Sequence, residues 1–226
     1  MRMLIRLALA GLGAGLLLAG LVTAASANHL SVSNRSIRAV FPELVFESKE
    51  MQIPPLEPIR CRVTMEGSFH SATFAKVREA EIGDITRAIV AHPCEVGGKE
   101  YFIFNGTETF LRARPETSLP WAITYQTFSG TLPRLSAVNV NITGIIMQVS
   151  YPLGCLEQYG RATESRPWVF NIEANGLVTS LQPGTGHLLR RQAMESERCA
   201  SLARFSRPSA AVTLLETTTG ITITLI

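Results

Sequence analysis

The chain has 226 residues, with 21 Lys+Arg against 18 Asp+Glu and a formal net charge of +3. Arg2 and Arg6 belong to a leader described below; without them 19 basic residues face 18 acidic ones, leaving a net charge of +1. The densest basic pair, Arg190-Arg191, is followed by Glu195 and Glu197. No clustered basic face of the kind nucleic acid requires can be built from this, so no nucleic-acid partner is expected.

The first 27 residues have the three parts of a secretory signal peptide. Arg2 and Arg6 form the positive start, Leu7 to Val22 is uncharged, and Ala25-Ser26-Ala27 offers the small residues of a cleavage site. The rival reading is an uncleaved anchor. A spanning helix needs about 20 apolar residues, and this run is shorter and interrupted by Gly11, Gly13, Gly15 and Gly20. A lipid anchor has no support, because the first cysteine is Cys61. The expected product is one soluble, extracytoplasmic domain over residues 28–226, without stable membrane insertion after cleavage. Its length suffices for a well-buried core.

The predicted elements follow in chain order. Ile37 to Phe46 contains Phe41-Pro42, which predicts an edge strand or a bent one, because proline has no N–H for a central ladder. Residues 48–59 carry Pro54, Pro55 and Pro58 and read as a linker. Val63, Met65, Gly67 and Phe69 alternate with polar residues, as do Trp121, Ile123 and Tyr125, and then Val138, Val140 and Ile142. Each set reads as a strand with one buried face. After Gly144 the apolar parity switches to Ile145, Met147, Val149 and Tyr151, which predicts a β-bulge.

Between Trp168 and Leu181, Asn175-Gly176 predicts a hairpin with a two-residue type I′ turn. That turn sets Ala174 opposite Leu177, Ile172 opposite Thr179 and Phe170 opposite Leu181. Leu188 to Leu202 has good helix formers and an Arg191/Glu195 pair at i,i+4, so it is the one helix expected. A last hairpin is expected from Ala211 to Leu215 and Ile221 to Ile226, around Thr217-Thr218-Thr219-Gly220. Its apolar ending points to a buried final strand; an outer-membrane barrel would normally end on an aromatic residue. Together these features predict an all-β sandwich or barrel of short antiparallel strands with little helix.

Four cysteines in an exported chain predict two disulfides stapling that fold. They are Cys61, Cys94, Cys155 and Cys199. Sequential pairing, Cys61–Cys94 and Cys155–Cys199, is favoured because nearer residues lose less loop-closure entropy. Each such bridge is worth roughly 3.5–4 kcal/mol in the chain-entropy account. As a direct hairpin pair, Cys61–Cys94 would set Val63 opposite His92, Met65 opposite Val90 and Phe69 opposite Thr86. That register matches the apolar pattern poorly unless a bulge near Gly67 corrects it or the two strands sit in different sheets with the bridge crossing between them. The rival, a four-cysteine zinc site, lacks the close-spaced pair such sites contain.

Chemistry is sparsely signalled. No nucleophile elbow, P-loop, dinucleotide fingerprint, EF-hand or H-E-x-x-H motif occurs. Ser68 and His70 share a strand face by parity, which permits a dyad; an exposed polar face is the plainer reading. Acid–base work by paired carboxylates needs only two at the right distance, and with 17 Glu in the chain nothing isolates a pair. Asp84, the one Asp, follows Gly83 and reads as a turn or strand-end residue. His70, His92 and His187 are scattered, and His29 lies beside the cleavage point. Trp121 and Trp168 can line a ligand pocket, though core packing is the commoner role. No catalytic residue, cofactor or metal ligand is assigned on these grounds.

Gly67-Ser68-Phe69-His70-Ser71, Pro120-Trp121, Phe128 to Pro133 and the Thr217 to Ile226 ending resemble stretches of uncharacterised exported proteins from high-GC actinobacteria. The likeness runs over most of residues 30–226. The preference for Arg over Lys, which occurs only at 49, 76 and 99, agrees with such a genome by association. In a bacterium the sequons at Asn34, Asn105 and Asn141 are chance matches; in a eukaryote they would be glycosylation candidates. The resemblance implies the compartment and carries no assigned activity. Three functions are therefore expected in order: a non-enzymatic β-domain with a binding or cell-envelope role, a small-ligand carrier with an apolar barrel cavity, and a hydrolase-type enzyme.

Overall fold

Alternation of apolar and polar side chains turns most of the described chain into strand. The computed structural model describes residues 28–49, 58–96, 99–104, 119–150, 156–161, 163–184, 189–194, 202–206, 211–213 and 219–226. Among them there is no helix, and none long and apolar enough to cross a membrane. The first eight strands are β1 (His29–Val32), β2 (Ser36–Lys49), β3 (Ile59–Phe69), β4 (Thr73–Ala75), β5 (Glu81–Val96), β6 (Lys99–Phe104), β7 (Trp121–Ser129) and β8 (Ala137–Thr143). The remainder are β9 (Met147–Ser150), β10 (Leu156–Tyr159), β11 (Ser165–Ile172), β12 (Val178–Pro183), β13 (Leu189–Met194), β14 (Leu202–Ser206), β15 (Ala211–Thr213) and β16 (Ile223–Leu225). Residues 1–27, where the leader is expected, lie outside the described residues, as do Cys155 and Cys199.

Three long strands organise the sheet. The first halves of β2 and β5 and the second half of β3, which lies between them, continue through β7, β8, β11 and β12, all antiparallel. On the other side β15 pairs with β2, and β12 comes up against β15. Eight strands thus nearly close into an antiparallel barrel. The far halves of the same three strands continue differently, through β14, β13, β10, β9 and β6, and β6 pairs back onto β5. A three-stranded sheet, β16-β1-β4, is added to the first barrel, tied to the β11–β12 turn by Ile223 N–H donating to Gly176 O.

The inward faces of the nearly closed barrel are packed with side chains. Phe41, Phe69, Ile123, Val140, Trp168 and Phe170 are all essentially without solvent contact. The Trp168 ring meets Phe41 edge-on at 5.8 Å, and Phe69 stacks on Phe74 at 5.9 Å. The predicted faces Val63/Met65/Phe69, Trp121/Ile123/Tyr125 and Val138/Val140/Ile142 all point into this core.

β2 is bent, as Pro42 required, but it is no edge. Its neighbours change at the proline: β15 ends its ladder at Val40, β14 begins at Val45, and a bulge lies between Phe41 and Leu44. The missing N–H of Pro42 falls in that gap, where no ladder needs it.

Several expectations are corrected. The segment predicted as a helix, 188–202, forms β13 over Leu189–Met194 and enters β14 at Leu202; residues 195–201 lie outside the described residues. Its apolar stripe was weak, and pairing with β10 and β14 overrides local propensity. β15 and β16 do not form a terminal hairpin: β15 pairs with β2 and β16 with β1. Ile221 and Ile223 are buried there, while the final Ile226 is about half exposed. At Gly144 the chain leaves β8 altogether instead of bulging, and begins β9 on new partners. Of the proposed linker 48–59, its ends are strand and residues 50–57 lie outside the described residues.

The β11–β12 hairpin exists, with Phe170 opposite Leu181, but its turn is of another type. Gly176 N–H donates to Glu173 O, and Glu173 N–H to Leu177 O. Only Gly176 has positive φ, at 87°. This is a type I turn over Ala174-Asn175 followed by a glycine bulge. Ile172 consequently faces Val178, not Thr179, which puts an apolar residue into the core in place of a polar one.

The Cys61–Cys94 disulfide is formed, joining Cα atoms 4.6 Å apart. The constant register drawn from it is overturned by two bulges. Arg60 faces Glu95, but beyond a shift at Arg60/Arg62 Val63 faces Val90 and Met65 faces Ala88. A second shift at Glu66/Gly67 sets Phe69 opposite Gly83.

Candidate functional site

The clearest meeting of chemistry-bearing side chains lies on the outer face where β3 ends and β5 begins. A regular strand would put Glu81 and Asp84 on opposite faces. In β5 the pairing with β7 shifts between Glu81 and Gly83, and Ile82 and Gly83 are both buried. That bulge brings Glu81 and Asp84 out on the same side. His70 follows the last residue of β3 and is fixed by its N–H donating to Ile82 O at 2.9 Å.

Two glycines let the strands close beneath the site. A Cβ on Gly67 would stand 2.0 Å from Asp84 O, and one on Gly83 would stand 2.4 Å from Ser68 O. No side chain fits at either position without moving backbone.

His70 Nε2 lies 2.7 Å from Asp84 Oδ2 and 3.8 Å from Glu81 Oε1. One ligand atom from each residue falls within 4.8 Å of the other two. His70 is 44% exposed, Glu81 53% and Asp84 25%, so the cluster is open to solvent. The nearby cation, Arg35, directs Nη1 to the backbone oxygen of His70 at 3.4 Å. The arrangement offers one imidazole nitrogen and two carboxylates to a single point in space.

The expected site residues fall as follows where they are among the described residues. The permitted Ser68–His70 dyad is not what forms; the imidazole bonds Asp84 instead, while Ser68 sits opposite Asp84 in the ladder. Asp84 is not a turn residue; it lies in β5, near the start of that strand. Trp121 and Trp168 are core residues. Cys61 and Cys94 are bridged structural residues. His187 lies outside the described residues. Glu81 carried no signal of its own, since a bulge in β5 is invisible in the alternation pattern; the Gly83-Asp84 step was the nearest available cue.

A second charged group crosses the outer face of three strands. Glu66 is held between Arg87 Nη1 at 3.0 Å and Arg38 Nε at 3.5 Å. Arg87 hydrogen-bonds this carboxylate, whereas Arg38 is only ion-paired to it, its buried Nε making no hydrogen bond. No family model, curated protein or solved structure matches the chain.

Proposed function

We propose that the chain is exported, loses residues 1–27, and serves outside the cytoplasm as a non-enzymatic β-domain that binds through its outer surface. The observation that carries this reading is the filled interior of the nearly closed barrel, where Phe41, Trp168, Phe170 and their neighbours occupy the space a carrier would give its ligand. The disulfide Cys61–Cys94 supports an oxidising compartment. Among the described residues the side-chain partners of His70 are two carboxylates and no hydroxyl, which argues against a hydrolase-type triad at this position.

The test is native mass spectrometry of the processed protein recovered from outside the cytoplasm. The expected species begins at Asn28 and has the mass of the polypeptide with its disulfides and no apolar adduct. A co-purified lipid-like molecule at one per chain would move the assignment to the carrier. A membrane-bound product retaining Met1 would replace export and processing with anchoring.

A further inference from the structure

We propose that His70, Glu81 and Asp84 form a binding site for one divalent first-row transition ion. The donor set argues for the class of ion: imidazole nitrogen suits zinc and its neighbours, whereas calcium and magnesium prefer all-oxygen sites. Three protein ligands leave a fourth, tetrahedral position to water. Tetrahedral ligands about 2.0–2.1 Å from zinc stand roughly 3.3 Å from one another. The His70–Asp84 and His70–Glu81 separations, 2.7 and 3.8 Å, bracket that value. All three ligand atoms lie within 4.8 Å of one another, so an entering ion is met by adjustment of side chains that are exposed or half-buried.

Charge and backbone point the same way. Two carboxylates against one imidazole leave the cluster net negative even when the ring is protonated, and a divalent ion on neutral imidazole balances it. Arg35 makes its contact with the His70 backbone oxygen, and among the described residues it forms no ion pair with either carboxylate. A surface His–Asp ion pair would explain His70 and Asp84 alone. It gives no reason for the bulge at Ile82-Gly83 that turns Glu81 to the same point, nor for the glycine pair that seats it. Bulges that re-aim side chains are a recurrent feature of functional sites.

The experiment is calorimetric titration of zinc into the chelator-treated, disulfide-intact protein at about pH 7.5. One zinc per chain is expected. Glu81→Gln and Asp84→Asn preserve shape, and His70→Ala removes the nitrogen; each is expected to weaken zinc by about tenfold or more, since even outer-shell changes have effects of that size. His92→Ala and His187→Ala are expected to leave it unchanged. X-ray absorption of the zinc form should show nitrogen and oxygen donors without sulfur. Absence of stoichiometric binding, unchanged affinity in Glu81→Gln and Asp84→Asn variants that melt like the parent, or calcium binding as tightly as zinc would each overturn the assignment.

Discussion

A methyl group added at Gly83 would collide with the backbone of β3, and one at Gly67 with the backbone of β5. Neither obstacle is the movable end of a side chain, so the strands must separate. Gly83→Ala and Gly67→Ala are each expected to destabilise the protein by about 1–3 kcal/mol, read from chemical denaturation. A second single-residue effect concerns Tyr125. Burial pushes its phenol above the ordinary value of 10.0, because the charged form would lose its water. The unfolded phenol ionises first as pH rises. The stability tied to the neutral ring is therefore fully present below about pH 10 and is lost as pH climbs through the higher folded value. In Tyr125→Phe, stability measured between about pH 8 and pH 11 should fall less steeply above pH 10 than in the parent. Equal slopes would place the alkaline loss on other groups.

Among the elements, the β11–β12 hairpin separates what local pattern determines from what it leaves open. Gly176 has φ 87°, and a Cβ there would also meet Thr224 Cγ2 at 2.7 Å. Gly176→Val is expected to lower stability by about 1–3 kcal/mol, checked by thermal melting. The two-residue I′ turn would have required positive φ at Asn175 too. Instead the Asn175 side chain accepts from Leu177 N–H at 2.9 Å. Alternation in β3, β7 and β8 was readable because each strand has one face on a dense core and one in water. Pro42 announced its bend because a missing N–H is a local fact. The fates of β13, β14, β15 and β16 were not readable. Their partners lie far away in sequence, and whether a weakly patterned segment becomes helix or strand depends on which ladder awaits it. The same limit hid the candidate site: three residues converge through a bulge, and a bulge shifts parity without changing composition.

At the scale of the whole molecule, β2, β3 and β5 pass from one ring of strands into the other, and the Cys61–Cys94 bridge fastens two of them at the passage. Cys61 sits at the register shift between Arg60 and Arg62, where the β3–β5 ladder is interrupted. The backbone bonds lost there are replaced by a covalent link. The bridge closes a loop with a sequence separation of 33, for which chain entropy gives about 3.5–4 kcal/mol of stabilisation. Cys61→Ala together with Cys94→Ala is expected to lose that amount in guanidinium denaturation. Because both rings share the three strands, the loss should appear in one transition. Trp121 and Trp168 are both buried in the nearly closed barrel, so their fluorescence reports that half, whereas far-ultraviolet circular dichroism reports every strand. Coincident curves from the two probes in the double variant are the expected result. A fluorescence transition that stays at the parent's midpoint while the dichroism shifts would show that the barrel with the tryptophans stands without the other ring, and that the bridge serves only the far halves of β3 and β5.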